Sequence, residues 1–145
     1  MNLIATPIYF TETPEELLVK FVPWHVCCGF PSPADDLNCK EIDLAKVMVP
    51  RPQSTFFMQV KGDSMKDAGI CDGSLICVDR SIKPQAGHVV VASIDGEFTV
   101  KQLAMKNGVY YLKAANEAYP AFEFKEGQEM QIWGVVRATT LFLTS

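Results

Sequence analysis

"HVVVASIDGEFTVKQLAMKNGVYYLKA" (His88–Ala114) decides the fold. Two dipeptides, Asp95-Gly96 and Asn107-Gly108, interrupt three runs rich in β-branched, aromatic and other apolar residues. Asp-Gly and Asn-Gly favour two-residue type I′ hairpins, whose central residues must both take positive φ. A two-residue loop at the first pairs Ile94 with Glu97, and counting outward sets Lys101 opposite Val90. A two-residue loop at the second pairs Lys106 with Val109 and sets Lys101 opposite Ala114. The count therefore seats Lys101 in an interior strand with an apolar neighbour on each side. Thr99 and Leu103 lie beside it on the same face, and no carboxylate is placed against it.

Outward from this core the β pattern continues. In "TFFMQVK" (Thr55–Lys61), Phe56, Met58 and Val60 alternate with Phe57, Gln59 and Lys61. "SLICV" (Ser74–Val78) is a short continuous apolar run, as expected of a strand covered on both sides. "EMQIWGVVRATTLFL" (Glu129–Leu143) reads as a long strand or bent pair, with Gly134 marking the bend. Residues 55–145 thus form a compact, strongly curved, mostly antiparallel β domain. Residues 1–54 differ: Pro7, Pro14, Pro23, Pro31, Pro33, Pro50 and Pro52 fall there, against Pro84 and Pro120 in the remainder. Such density forbids a continuous sheet or long helix and marks an N-terminal arm and linker. Two short helices are expected in it. One is "TPEELLVKF" (Thr13–Phe21), with Thr13 as N-cap, Pro14 at the first helical position and Glu16 completing a capping box. The other runs through "KEIDLAKVMV" (Lys40–Val49).

The composition sets limits. The chain has 145 residues, 48% apolar and 21% charged, with net charge −4, an ordinary balance for a globular protein. No Lys/Arg run supplies a footprint for the DNA backbone, so sequence-specific DNA binding is not expected. No apolar stretch approaches the ~18 residues of a membrane span, and the N-terminus lacks the basic start of a secretion signal. Five cysteines (Cys27, Cys28, Cys39, Cys71, Cys77) form no Cys-x-x-Cys, and no histidines stand at zinc-finger spacing. They read as thiols in a reducing cytosol; neither metal nor cofactor is expected.

Chemistry points to "QVKGDSMKDAG" (Gln59–Gly69). Ser64 follows a strand on a Gly-Asp turn, a plausible seat for an exposed nucleophile, yet no histidine lies near it in sequence. Lys101 is a candidate proton acceptor. An ordinary lysine, with pKa ~10.4, is protonated at neutral pH. Burial without a counter-charge disfavours the ammonium and brings the amine toward the range that acid–base catalysis uses. The ordinary reading of Lys101 is a strand lysine reaching solvent, and of Ser64 a turn former. A Ser64–His88–Asp arrangement is a competing set, although His88 opens a strand where exposed polar residues are common.

"VKGDSMKDAGICDGSLICVD" followed by "GHVVVASIDGEFTVKQL", with Lys101 37 residues after Ser64, resembles the LexA/UmuD family of self-cleaving Ser/Lys peptidases. The arm, "CCGFPSPADD" with "IDLAKVMVPRPQSTFFMQVKGDSM", is similar to the UmuD side of that family, and the likeness covers about residues 23–137. The resemblance implies a β-rich fold of the LexA C-terminal type. It implies Ser64 as nucleophile, Lys101 as general base, and a scissile bond at Cys28-Gly29 in the protein's own arm. Backbone N–H groups of the Asp63–Met65 turn would hold the oxyanion. It further implies a homodimer, stimulation by a RecA filament on single-stranded DNA, and a cleaved form that serves a UmuC-type error-prone DNA polymerase in the SOS response. Two other readings stand beside it. A LexA-type repressor would need a helix-turn-helix domain, which the proline-broken, acidic first 54 residues do not suggest. A non-catalytic interaction module would leave Lys101 exposed and charged.

Overall fold

The computed structural model describes residues 15–23, 25–26, 28–29, 39–120 and 129–144. The chain divides into two compact units, one within Phe10–Pro50 and the other within Arg51–Ser145. Among the described residues no helix is long and apolar enough to cross a membrane.

In the first unit, strand β1 (Leu18–Phe21) pairs antiparallel with β2 (Lys40–Asp43), Leu18 opposite Asp43 and Phe21 opposite Lys40. Helix α1 (Leu44–Met48) follows directly. This corrects the expected helix at Thr13–Phe21: its second half is a strand, while Thr13 and Pro14 lie outside the described residues. The expected second helix begins only at Leu44. So short a helix gains too few hydrogen bonds to offset nucleation, whereas Leu18–Phe21 finds a ready ladder in Lys40–Asp43. Glu16, expected to cap, instead stands 3.7 Å from Lys46 Nζ. The cap that forms is Asp43, whose Oδ1 accepts from Ala45 N at 3.0 Å and from Leu17 N at 3.1 Å. One carboxylate thus starts α1 and ties it to the chain entering β1.

The second unit is a six-stranded antiparallel sheet of β3 (Thr55–Gln59), β4 (Leu75–Asp79), β5 (Val89–Ile94), β6 (Glu97–Lys106), β7 (Val109–Lys113) and β8 (Met130–Thr140), ordered β3-β4-β8-β5-β6-β7. Both hairpins form as the dipeptides dictate. Asp95 and Gly96 take φ of 49° and 83°, Asn107 and Gly108 take 52° and 77°, the doubly positive pattern of type I′ turns. The register follows, with Ile94 opposite Glu97, Lys101 opposite Val90 and Lys106 opposite Val109. One neighbour differs from expectation. The β6–β7 ladder ends at Gln102 opposite Lys113, so Ala114 is not a ladder partner of Lys101. The chain leaves the sheet there, because Ala115 and Asn116 are drawn to the turn that carries Ser64.

The sheet is covered on both faces. Val91 joins Met65, Ile70, Ile76 and Val78 on one side, while Val90 and Ala92 join Leu103, Leu112 and Val135 on the other. Successive residues of β5 therefore enter opposite cores, which explains a run of three valines where a one-sided strand would alternate. Strand β8 supplies the curvature. Its register slips by one residue at Trp133 against β5 and at Arg137 against β4, and such β-bulges bend and twist a strand. Gly134 stands beside the first slip, as the sequence led one to expect of a bend, and its role is also steric. A Cβ there would lie 2.5 Å from Val78 Cγ1 and 3.3 Å from Arg80 Cγ.

Where the second unit begins, a buried carboxylate fastens it. Asp79, 0% exposed, accepts from Arg51 Nε at 2.6 Å, Ser54 Oγ at 2.9 Å, Ser81 Oγ at 2.7 Å and Ser81 N at 2.8 Å. Burial alone would raise its pKa. The donors from Ser81, Ser54 and Arg51 outweigh that and hold it at about 2.

Gly134→Ala should destabilise the protein by about 1–3 kcal/mol, since Val78 is fully buried and cannot yield; a urea midpoint equal to wild type would contradict this. The depressed Asp79 carboxyl makes the folded state release a proton that the unfolded chain still holds between pH ~4 and ~2. Stability should therefore be intact above pH ~4 and fall by about 1–2 kcal/mol as pH drops through that window. Denaturant titrations of Asp79→Asn should show that much less acid sensitivity than wild type.

Candidate active site

Ser64 is positioned from both sides of its turn. After β3, Val60 N donates to Ser74 O and Gly73 N to Val60 O, each at 2.8 Å. Gly62, at φ 98°, then turns the chain and donates its N–H to Asp72 Oδ1 at 2.6 Å. Lys66 N closes on Asp63 O at 3.2 Å, opening a 3-10 turn over Lys66–Ala68. Met65 is the anchor. It is 2% exposed and packs with Ile70, Ile76, Val78 and Val91. Burying the residue directly after the serine fixes Ser64 at the edge of the core.

The segment after β7 holds the same turn from the other side. Ala115 accepts from Asp67 N at 2.8 Å and donates its own N–H to Met65 Sδ at 3.4 Å. Asn116 Nδ2 donates to Asp63 O at 3.0 Å, and Tyr119 donates its hydroxyl to Asp63 Oδ1 at 2.7 Å. The hydrogen bond to Asp63, followed by the nearness of that charge, raises the Tyr119 pKa. None of these three residues was singled out from the sequence. "AANEAYP" (Ala114–Pro120) carries turn formers but nothing that shows which distant loop they will grip.

Ser64 opens into a cleft of about 430 Å³, walled by apolar side chains such as Met58, Val91, Phe98 and Val100. Lys101 shares it. Its Nζ lies 2.9 Å from Ser64 Oγ and 3.2 Å from Val100 O. Among the described residues no ion pair involves Lys101. Burial without a counter-charge lowers the Lys101 pKa. The fold thus brings together two groups that are 37 residues apart in sequence. His88 is not brought to them. Its Nδ1 accepts from Gln85 N at 3.2 Å, and no histidine stands among the described residues that line the cleft.

The other expected site residues fall as follows. Asp63 and Met65 flank Ser64 in the turn, and both line the cleft. Cys28 and Gly29 belong to the first unit, between β1 and β2, and are exposed, with open space around Gly29. Cys39 and Cys71 are likewise exposed thiols. Cys77 is buried in β4, and burial pushes its thiol pKa up. Cys27 lies outside the described residues.

The curved antiparallel sheet thus sets a hydroxyl against an amine in a cleft of about 430 Å³. The chain belongs to the Peptidase S24-like family, whose profile matches residues 18–137, the grouping to which the Gly-Asp-Ser-Met and Glu-Phe-Thr-Val-Lys elements point. It is 46% identical over 110 residues to protein SamA of Salmonella typhimurium, covering 76% of each chain. Identity to protein MucA of Escherichia coli is 37% over 119 residues, 81% of each chain. Identity to protein ImpA of Escherichia coli is 51% over 78 residues, where the match spans about half of either protein (54%).

Lys101→Met should stabilise the fold on the order of 1 kcal/mol at neutral pH, because an apolar side chain of similar length replaces a desolvated amine. The unfolded chain holds the lysine proton more tightly than the folded one, so wild-type stability rises with pH toward ~10.5. The advantage of the variant should shrink over the same range. Denaturant midpoints at pH 7 and pH 10 check both statements.

Proposed function

We propose that the chain is a self-cleaving serine peptidase in which Ser64 is the nucleophile, Lys101 the general base and the Cys28-Gly29 bond of its own arm the substrate. The observation that carries this reading is the 2.9 Å separation of Lys101 Nζ and Ser64 Oγ, with no acid paired to the amine. A lysine whose pKa burial has lowered gives up its proton more readily and then has a lone pair to accept one, and here the hydroxyl is within hydrogen-bond reach. Neutral Lys101 takes the Ser64 proton as Oγ adds to the Cys28 carbonyl carbon. The tetrahedral oxyanion is met by backbone amides of the Asp63–Met65 turn; the Ser64 and Met65 N–H groups donate to no protein acceptor among the described residues. The Lys101 ammonium then protonates the Gly29 nitrogen as the C–N bond breaks, leaving Cys28 as an ester on Ser64. Water, deprotonated by the same amine, hydrolyses that ester and restores the serine. The exposure of Cys28 and Gly29 supports a bond that can be presented to a cleft, and a small residue followed by glycine suits a narrow one.

The family resemblance supplies the setting. In it, a RecA filament on single-stranded DNA favours the cleavage-competent pose of the arm, as a difference in affinity between two conformations. The product, residues 29–145, works as a homodimer and as the accessory subunit of a UmuC-type translesion polymerase in the cytoplasmic SOS response. The matches to SamA and MucA span 76% and 81% of those proteins, whereas the match to the LexA repressor of Aliivibrio fischeri spans 46% of it, which supports this assignment over a repressor.

Purified protein held at alkaline pH should slowly yield a fragment whose N-terminal residue is Gly29. The rate should rise with pH as Lys101 deprotonates and level off below the ~10.5 of an ordinary lysine. Ser64→Ala should reduce the rate by about 10³-fold or more while leaving the protein folded. N-terminal sequencing that finds no Gly29 fragment, even with RecA, nucleotide and single-stranded DNA present, would refute the proposal.

A further inference from the structure

We infer that Asn116 is a positioning residue: by hydrogen-bonding the Asp63 carbonyl, its side-chain amide aims the Ser64 N–H at the oxyanion formed in the cleft. The inference rests on the reading of Ser64 as nucleophile. Asn116 is 6% exposed, one of the few polar side chains buried in this part of the chain. Its two ends have fixed partners. Nδ2 donates to Asp63 O at 3.0 Å, and Oδ1 accepts from Ala118 N at 3.0 Å. A carbonyl can only accept and an amide N–H only donate, so these partners dictate which way the side chain is turned.

Asp63 O belongs to the peptide unit that carries the Ser64 N–H. That unit is planar and trans, so its C=O and N–H point in opposite directions. Fixing the oxygen therefore fixes the N–H. Two donors hold the oxygen, Lys66 N at 3.2 Å and Asn116 Nδ2 at 3.0 Å. The first comes from the same short turn and moves with it. Asn116 arrives from 53 residues away and refers the peptide plane to the segment leaving β7. A donor on the carbonyl also polarises the unit and strengthens its N–H as a donor. Tyr119 cannot substitute, because it grips the Asp63 side chain, about which the peptide plane can still rotate.

The test separates this from a structural role in the 116–119 turn. Asn116→Ser keeps an acceptor for Ala118 N–H through a serine turn, but its side chain is too short to reach Asp63 O. Asn116→Ala loses both contacts. Full-length wild type and both variants are followed for first-order self-cleavage from pH 7 to 11, below their melting temperatures. Both variants should cleave at least tenfold more slowly at the alkaline plateau, with the midpoint of the pH profile unchanged because Lys101 is untouched. An Asn116→Ser rate within twofold of wild type would overturn the inference by assigning Asn116 to the turn alone. A shifted midpoint would overturn it by moving the effect to Lys101. In wild-type protein a through-hydrogen-bond NMR coupling should join Asn116 Nδ2 to the Asp63 carbonyl carbon, and its absence would refute the contact whatever the variants do. Failure of wild type to cleave refutes the nucleophile reading instead and leaves the coupling measurement standing.

Discussion

The contact between Lys101 Nζ and Ser64 Oγ is the constraint around which the larger unit is arranged. A partly buried amine with no carboxylate paired to it among the described residues is costly to hold charged. The fold tolerates it because the lysine lies where one ladder stops. Val90 still pairs with it across β5, while β7 has already left on the other side. Had the β6–β7 ladder continued, Ala115 and Asn116 would belong to the sheet rather than to the serine turn. The departure of one strand thus exposes the amine to a cleft and also delivers the loop that braces its partner hydroxyl.

The same economy appears in β8. Its two bulges let one strand serve β4 on one side and β5 on the other, joining hairpin halves that are remote in sequence. Gly134 and Val78 approach so closely that no side chain fits between them. On the rim of this packing, Arg80 stacks 4.6 Å from the centre of the Trp133 ring, and Trp133 meets Phe56 and Phe98 edge-on. Phe98 is also a wall of the cleft, so the bulge at Trp133 and the shape of the site share a neighbour.

What could be read from the sequence follows from range. Asp95-Gly96 and Asn107-Gly108 are local chemistry with fixed consequences for register, so the place of Lys101 opposite Val90 was open to arithmetic before any coordinates. Its partial burial follows from its neighbours, but its contact with Ser64 does not, since nothing local relates the β3–β4 connection to β6. The family resemblance joined the two residues where spacing could not. The helix expected at Thr13–Phe21 shows the opposite case. A plausible cap and a proline are local cues, and they were overruled by a pairing partner some twenty residues downstream in Lys40–Asp43. Asn116 and Tyr119 were invisible for a related reason: a turn former looks the same whether it holds its own loop or one 53 residues away.

The β1–β2 ladder brackets Cys28 and Gly29, with four paired residues before them and four after. While the chain is whole, those strands meet at the local concentration that the 18 residues between them impose. Severing the backbone between them turns a hairpin into an encounter of two molecules. A lone pair of short strands is marginal in water even when joined, so simple dilution would carry the leading peptide away. On the cleavage proposed above, its departure would leave the Gly29 amine without the Cys28 carboxylate to rejoin, and a slow hydrolysis would become a one-way release.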